Sequence, residues 1–89
     1  MKSIIPDDNP ERCYICGRWN PTDVHHMVFG SFRNMSDKYG LTVHVCRRCH
    51  MELHDHGVYR DSLIWIAQKE FEKRYSHELW MQEFGKNFL

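Results

Sequence analysis

The chain reads as a small α+β fold: a two-stranded antiparallel sheet with one helix behind it, a four-cysteine knuckle, and two carboxy-terminal helices. Three observations predict this. The cysteines come as two C-x-x-C pairs, Cys13/Cys16 and Cys46/Cys49. The stretch LTVHV, residues 41–45, alternates apolar and polar, the period-2 pattern of a strand buried on one face. From Leu63 onward, apolar residues recur at spacings of three and four, the stripe of a helix.

With 89 residues there is room for one domain, taken here as 1–89, with a core at about 13–57 and a helical part at 58–89. So small a core suggests a staple, which the cysteines can supply. The opening MKSIIPDDNP has no apolar h-region, and the longest apolar run, Leu63 to Ala67, is far too short to span a bilayer. The expectation is a cytoplasmic protein with no membrane partner, where disulfides are disfavoured and paired C-x-x-C reads as metal.

The elements follow in order. Residues 1–12 look extended, with Pro6 and Pro10. Gly17 follows Cys16, where a knuckle needs a residue of free φ. Thr22 to Phe29 reads as a strand, and 30–40 as a polar loop with one helical turn opened by Ser36. Leu41, Val43 and Val45 should face the core, with His44 pointing away. Arg47 to His56 reads as a helix stopped by Gly57. Asp61 can cap a longer helix to about Tyr75, with a stripe of Leu63, Ile66, Ala67, Phe71 and Tyr75 and an outward Glu70–Arg74 pair. Ser76 can cap a last helix through Phe84, closed by Gly85.

Net charge is zero, which argues against strong non-specific binding of nucleic acid through bulk charge. The charge is uneven, however. Residues 11–50 hold Arg12, Arg18, Arg33, Lys38, Arg47 and Arg48 against Glu11, Asp23 and Asp37, a net +3, in the region that also carries the cysteines. That excess points to an anionic substrate there.

Cys13, Cys16, Cys46 and Cys49 fit a tetrahedral four-thiolate zinc site, closed and therefore structural. A two-cysteine, two-histidine finger does not fit, because His50 follows Cys49 directly where about 12 residues should intervene. Of the seven histidines, His50 and His54 stand four apart on one helix face and can meet one metal. His25 is a candidate third ligand, giving three imidazoles with coordination positions left open for water and substrate. His26, its neighbour on a strand, points to the other face and suits a general base, because an imidazole can exchange a proton near neutral pH.

These residues carry a resemblance. VHH at 24–26, the strand LTVHV, and CRRCHMELH at 46–54 resemble the HNH endonuclease family, also called ββα-metal nucleases. The two cysteine pairs are similar to its zinc-stapled branch, and HH followed by a helical H-x-x-x-H is similar to the nuclease domains of DNase colicins. RNMSDKYGLTV and the terminal FGKNFL look most like short HNH proteins of phages and prophages of Gram-positive bacteria. The resemblance implies a ββα-metal core and a DNA endonuclease or nickase acting in a bacterial host cell. It implies one catalytic divalent ion (Mg²⁺, Mn²⁺, Ni²⁺ or Zn²⁺) on His25, His50 and His54, beside the structural Zn²⁺. His26 would take the proton of the attacking water, leaving a 5′-phosphate and a 3′-hydroxyl. A monomer or a homodimer would suit this chemistry. One position departs: the family's central Asn, which pins the loop behind the base, is Leu41 here by spacing, with Asn34 and Thr42 as candidate substitutes.

Arg33, between the strands, is a candidate phosphate contact through its guanidinium fork. Arg47 and Arg48, at a helix start, are candidate DNA-backbone contacts. His44, His56 and His77 read as surface histidines, and Trp65 as packing on the polar side of its helix. A second reading keeps the scaffold without catalysis, as a zinc-stapled module that binds nucleic acid or protein, supported by Leu41 and the neutral net charge.

Overall fold

In the computed structural model, which describes residues 2–28 and 30–89, strands β1 (Thr22–His26) and β2 (Thr42–Cys46) pair antiparallel, with Val24 opposite His44, His25 opposite Val43 and His26 opposite Thr42. Between them lie a 3₁₀ turn, Gly30–Phe32, and a short helix α1, Arg33–Lys38. Helix α2 (Arg47–His56) starts where β2 ends, followed by α3 (Arg60–Arg74) and α4 (His77–Phe84). Among the described residues this is the expected α+β arrangement, with α1 added. Among the described residues no helix is long and apolar enough to cross a membrane.

A two-stranded sheet is marginal by itself. Here one face is covered and the other is braced, with Val24 left exposed. Val43, Val45 and His25 lie on the face toward α2, where Leu53 is buried with them. The opposite face is gripped by the amino-terminal segment: the Asp8 carboxylate accepts from the His44 N–H at 2.7 Å and meets the His44 ring nitrogen Nδ1 at 2.8 Å. His44 does point away from the core, but it is partnered by a side chain that is 3 % exposed. Ile4 N–H donates to the Gly40 carbonyl at 2.9 Å. Gly40 has φ +70°, and a Cβ there would run into the Lys2 carbonyl, so the docking of this segment requires glycine.

Several boundaries differ from expectation. β1 stops at His26; Met27 and Val28 are buried in a bend, and Phe29 lies outside the described residues. β2 begins at Thr42 rather than Leu41, although Leu41 is fully buried as predicted. Ser36 does not open a helical turn; it sits inside α1 with its hydroxyl turned to the Val28 backbone. Asp61 lies in the first turn of α3, where a carboxylate complements the helix dipole, and the cap position is Tyr59. Glu70 pairs with Lys73 at 3.0 Å instead of Arg74. Ser76 does cap α4, its hydroxyl accepting from Leu79 N–H at 3.1 Å, and Gly57 and Gly85 end α2 and α4 in left-handed backbone.

The buried side of α3 is rotated from the predicted stripe. Leu63, Ala67 and Phe71 are buried, but Ile64 and Gln68 join them and Tyr75 is largely exposed. The cause is the chain's end. Gln68 donates to Asn87 Oδ1 at 2.8 Å and accepts from Phe88 N–H at 2.7 Å, which ties the tail across α3, while Phe71 packs edge-on to Trp80 and Trp80 stacks on Phe84. A fully buried amide is stable only when satisfied at both ends, as this one is. Trp65 is 42 % exposed and lies beside Ile66 and Phe88, with the Lys69 ammonium 4.7 Å from its ring centre.

Candidate functional site

The two cysteine pairs converge. Cys13 N–H donates to Arg18 O at 2.8 Å and Gly17 N–H to Cys13 O at 3.0 Å, which closes the knuckle with Gly17 at φ +81°. Tyr14 N–H donates to His44 O at 2.7 Å and docks the knuckle on β2, whose last residue is Cys46; Cys49 follows in the first turn of α2. The four sulfurs lie within 4.8 Å of one another, and all four thiols are free. Burial pushes the Cys13 thiol up, but N–H groups of Cys16, Cys46 and Ile15 outweigh it and hold Cys13 at about 6. Cys49 is pushed the other way by burial and by the neighbouring thiols. The Cys13 thiolate is thus favoured and the Cys49 thiolate resisted, and a cation among the sulfurs would offset the charge of several thiolates held so close together. Four close cysteines of this kind can bind a structural metal such as zinc, with no coordination position left over.

A second cluster forms on the other side of α2's first turns. His25 projects from β1 toward α2, and one ring nitrogen each of His25, His50 and His54 lies within 4.8 Å of the others. The ring centres are 5.5 Å apart for His25–His50, 5.7 Å for His25–His54 and 4.7 Å for His50–His54. Asp23, on the same strand face as His25, places Oδ2 3.2 Å from His50 Nδ1. A carboxylate can only accept, so the contact assigns a proton to His50 Nδ1 and, in the neutral ring, leaves the lone pair on Nε2. That Nε2 stands 3.1 Å from His54 Nε2. His25 Nδ1 is buried with no hydrogen-bond partner among the described residues. Burial first, then the neighbouring charges of His50, His54, His26 and Arg60, push His25 down to about 4, so it is neutral at physiological pH. Three converging imidazoles, one of them with an orphaned buried nitrogen, are donors of the kind that suit a shared transition-metal ion.

His26 points to the opposite face of β1, toward α1, with Nε2 3.5 Å from Asp37 Oδ1. The two faces rejoin at the end of the strand. Val24, His25, His26, Gly30, Arg33, His50 and His54 line one open cleft of about 400 Å³. Arg33 is therefore at the histidines. Arg47 and Arg48 do not line this cleft: both border a groove on the outer side of α2 with Met51, Glu52, Asp55 and His56, although Arg47 also comes within 4.0 Å of Asp23, the partner of His50. Leu41 faces the core, and the position expected of an Asn makes no side-chain hydrogen bond. Among the described residues neither Asn34 nor Thr42 makes a side-chain hydrogen bond to the turn behind His26, whereas Ser36 does. His56 is exposed, and His77 pairs with Glu72 at 2.7 Å.

Sequence reasoning overlooked Asp23, Ser36, Asp37 and Asp8. Asp23 was legible in principle, two residues before His25 and hence on its strand face. The other three depend on contacts of α1 and of the amino-terminal segment that no local period announces.

Fold and clusters together define a small α+β protein with a four-cysteine cluster that can bind a structural metal and a separate three-histidine cluster, helix α2 contributing Cys49 to the first and His50 and His54 to the second. No family model, curated protein or solved structure matches the chain.

Proposed function

We propose that the chain is a small metal-dependent DNA endonuclease or nickase of the HNH, ββα-metal type. The observation that carries this reading is the division of adjacent histidines: His25 joins His50 and His54 in one cluster while His26 enters the same cleft from the other strand face. In this reading His25, His50 and His54 hold a divalent cation. Bound there, such an ion supplies Lewis-acid charge for a phosphate oxygen. The remaining work falls to side chains. Arg33 holds a non-bridging oxygen of the scissile phosphate. Water attacks phosphorus as its proton passes to His26, and the bond to the 3′ oxygen breaks. That oxygen takes a proton from solvent, leaving a 3′-hydroxyl and a 5′-phosphate.

The cysteine centre lies outside the chemistry and holds the knuckle against β2 and α2. The same resemblance suggests a phage or prophage gene expressed in a bacterial cell. A non-catalytic module on the same scaffold is the second reading, favoured by Leu41 in the place of the expected Asn. The deciding experiment is cleavage of supercoiled plasmid with Mg²⁺, Mn²⁺, Ni²⁺ or Zn²⁺, wild type beside His26→Ala. Cleavage by wild type that His26→Ala loses supports the nuclease. Undiminished cleavage by His26→Ala refutes His26 as base. Salt-dependent DNA binding without cleavage by either supports the module.

A further inference from the structure

The nuclease reading leaves one requirement unassigned. A base must be held to a fraction of an ångström, yet His26 is the last residue of β1, and the chain bends immediately after it. Ser36 supplies the restraint. Its side chain is wholly buried, and a hydroxyl can donate and accept at once. The Val28 N–H donates to Ser36 Oγ at 3.2 Å, and the same hydroxyl donates back to the Val28 carbonyl. Ser36 also reaches the other strand, because its own carbonyl accepts from Leu41 N–H at 2.8 Å, while Leu41 O accepts from Met27 N–H at 3.0 Å. The ring of contacts 36–28–27–41–36 therefore closes around the bend that carries His26. The next residue of α1, Asp37, faces the ring at 3.5 Å.

We propose that Ser36 is the positioning residue for His26, fixing from α1 the turn that the apolar Leu41 has no group to fix. This rests on the nuclease reading for its catalytic meaning and on the hydrogen bonds for its geometry. Misplacement of a reacting group by about 1 Å can cost on the order of 100-fold in rate. Ser36→Ala removes both bonds to Val28 and frees the bend.

The test compares Ser36→Ala with Ser76→Ala, which loses the α4 cap outside the cleft. Three quantities are measured: kcat and KM on supercoiled plasmid, Ni²⁺ affinity of the zinc-loaded protein, and the ring ¹⁵N signals of His26. In Ser36→Ala, kcat should fall roughly 10- to 100-fold, with KM and Ni²⁺ affinity little changed and the His26 signals shifted or broadened. Ser76→Ala should keep kcat and the His26 signals even where it loses comparable stability. Wild-type kcat and unaltered His26 signals in Ser36→Ala overturn the proposal, and so does an equal loss of kcat in Ser76→Ala. If Ser36→Ala does not fold, Ser36→Cys, close in size but a weak donor, is judged by the same readouts. If wild type cleaves nothing, the nuclease reading fails on that result alone, and the His26 signals still decide whether Ser36 orders the ring.

Discussion

Replacing Asp23 with alanine should weaken metal binding at the histidines without unfolding the protein. The carboxylate accepts from His50 Nδ1 at 3.2 Å and is about one-third exposed, so its loss opens no large cavity. What it removes is a tautomer lock. Without it, His50 can carry its proton on Nε2, toward His54, and present no lone pair to the cluster. Hydrogen bonds to charged groups contribute about 1.5–3 kcal/mol, and at about 1.4 kcal/mol per decade this corresponds to roughly 10- to 100-fold. Loss of a carboxylate behind a metal-bound imidazole is generally of that size, about 10- to 100-fold in affinity. The Arg47 guanidinium, 4.0 Å away and 79 % exposed, is well screened and offsets little of it. Calorimetric titration of Ni²⁺ into the zinc-loaded protein at neutral pH measures the change, with Arg47→Ala expected to stay within about threefold. Affinity of Asp23→Ala within twofold of wild type would refute the tautomer argument.

Other predictions follow from the same geometry. Cys13→Ser should lose stoichiometric zinc and its cooperative unfolding transition together, as shown by metal analysis beside circular dichroism, because the sulfur cluster ties the knuckle to β2 and α2. Gly40→Ala should cost about 1–3 kcal/mol, seen as a lower urea midpoint, because φ +70° and the Lys2 carbonyl both exclude a side chain. His25, held at about 4 against an ordinary 6.5, binds fewer protons folded than unfolded. Its contribution is complete above 6.5 and is lost as pH falls toward 4. Without a metal on the histidines, wild type should therefore lose about 1 kcal/mol more than His25→Asn between pH 7 and 5.5. Equal losses in the two proteins would show that His25 is not held neutral by burial.

The parts that could be read from the sequence were those with short-range signatures. Paired C-x-x-C spacing brought the four sulfurs together, i,i+4 spacing put His50 and His54 on one face, and strand alternation separated His25 from His26. Helix ends marked by Ser76, Gly57 and Gly85 were legible for the same reason, since caps are local chemistry. What escaped depends on contacts between distant segments. The face α3 buries is decided by Asn87 and Phe88, about twenty residues away, and the partner of His44 by Asp8, 36 residues away. Arg47 and Arg48 begin the helix that bears His50 and His54 and border the groove on its outer side, with Arg47 also reaching Asp23 at 4.0 Å.

Cys49 and His50 are consecutive residues of α2, each belonging to a different cluster. The two clusters therefore share one helical turn as a common mechanical support, and an ion that stiffened that turn would supply part of the ordering needed by the other. Such coupling is reciprocal in binding free energy: if zinc on the sulfurs tightened ion binding at the histidines by some factor, an ion on the histidines would tighten zinc binding at the sulfurs by the same factor. Saturating the open centre should accordingly protect the closed one from a chelator, with the shared turn of α2 as the route between them.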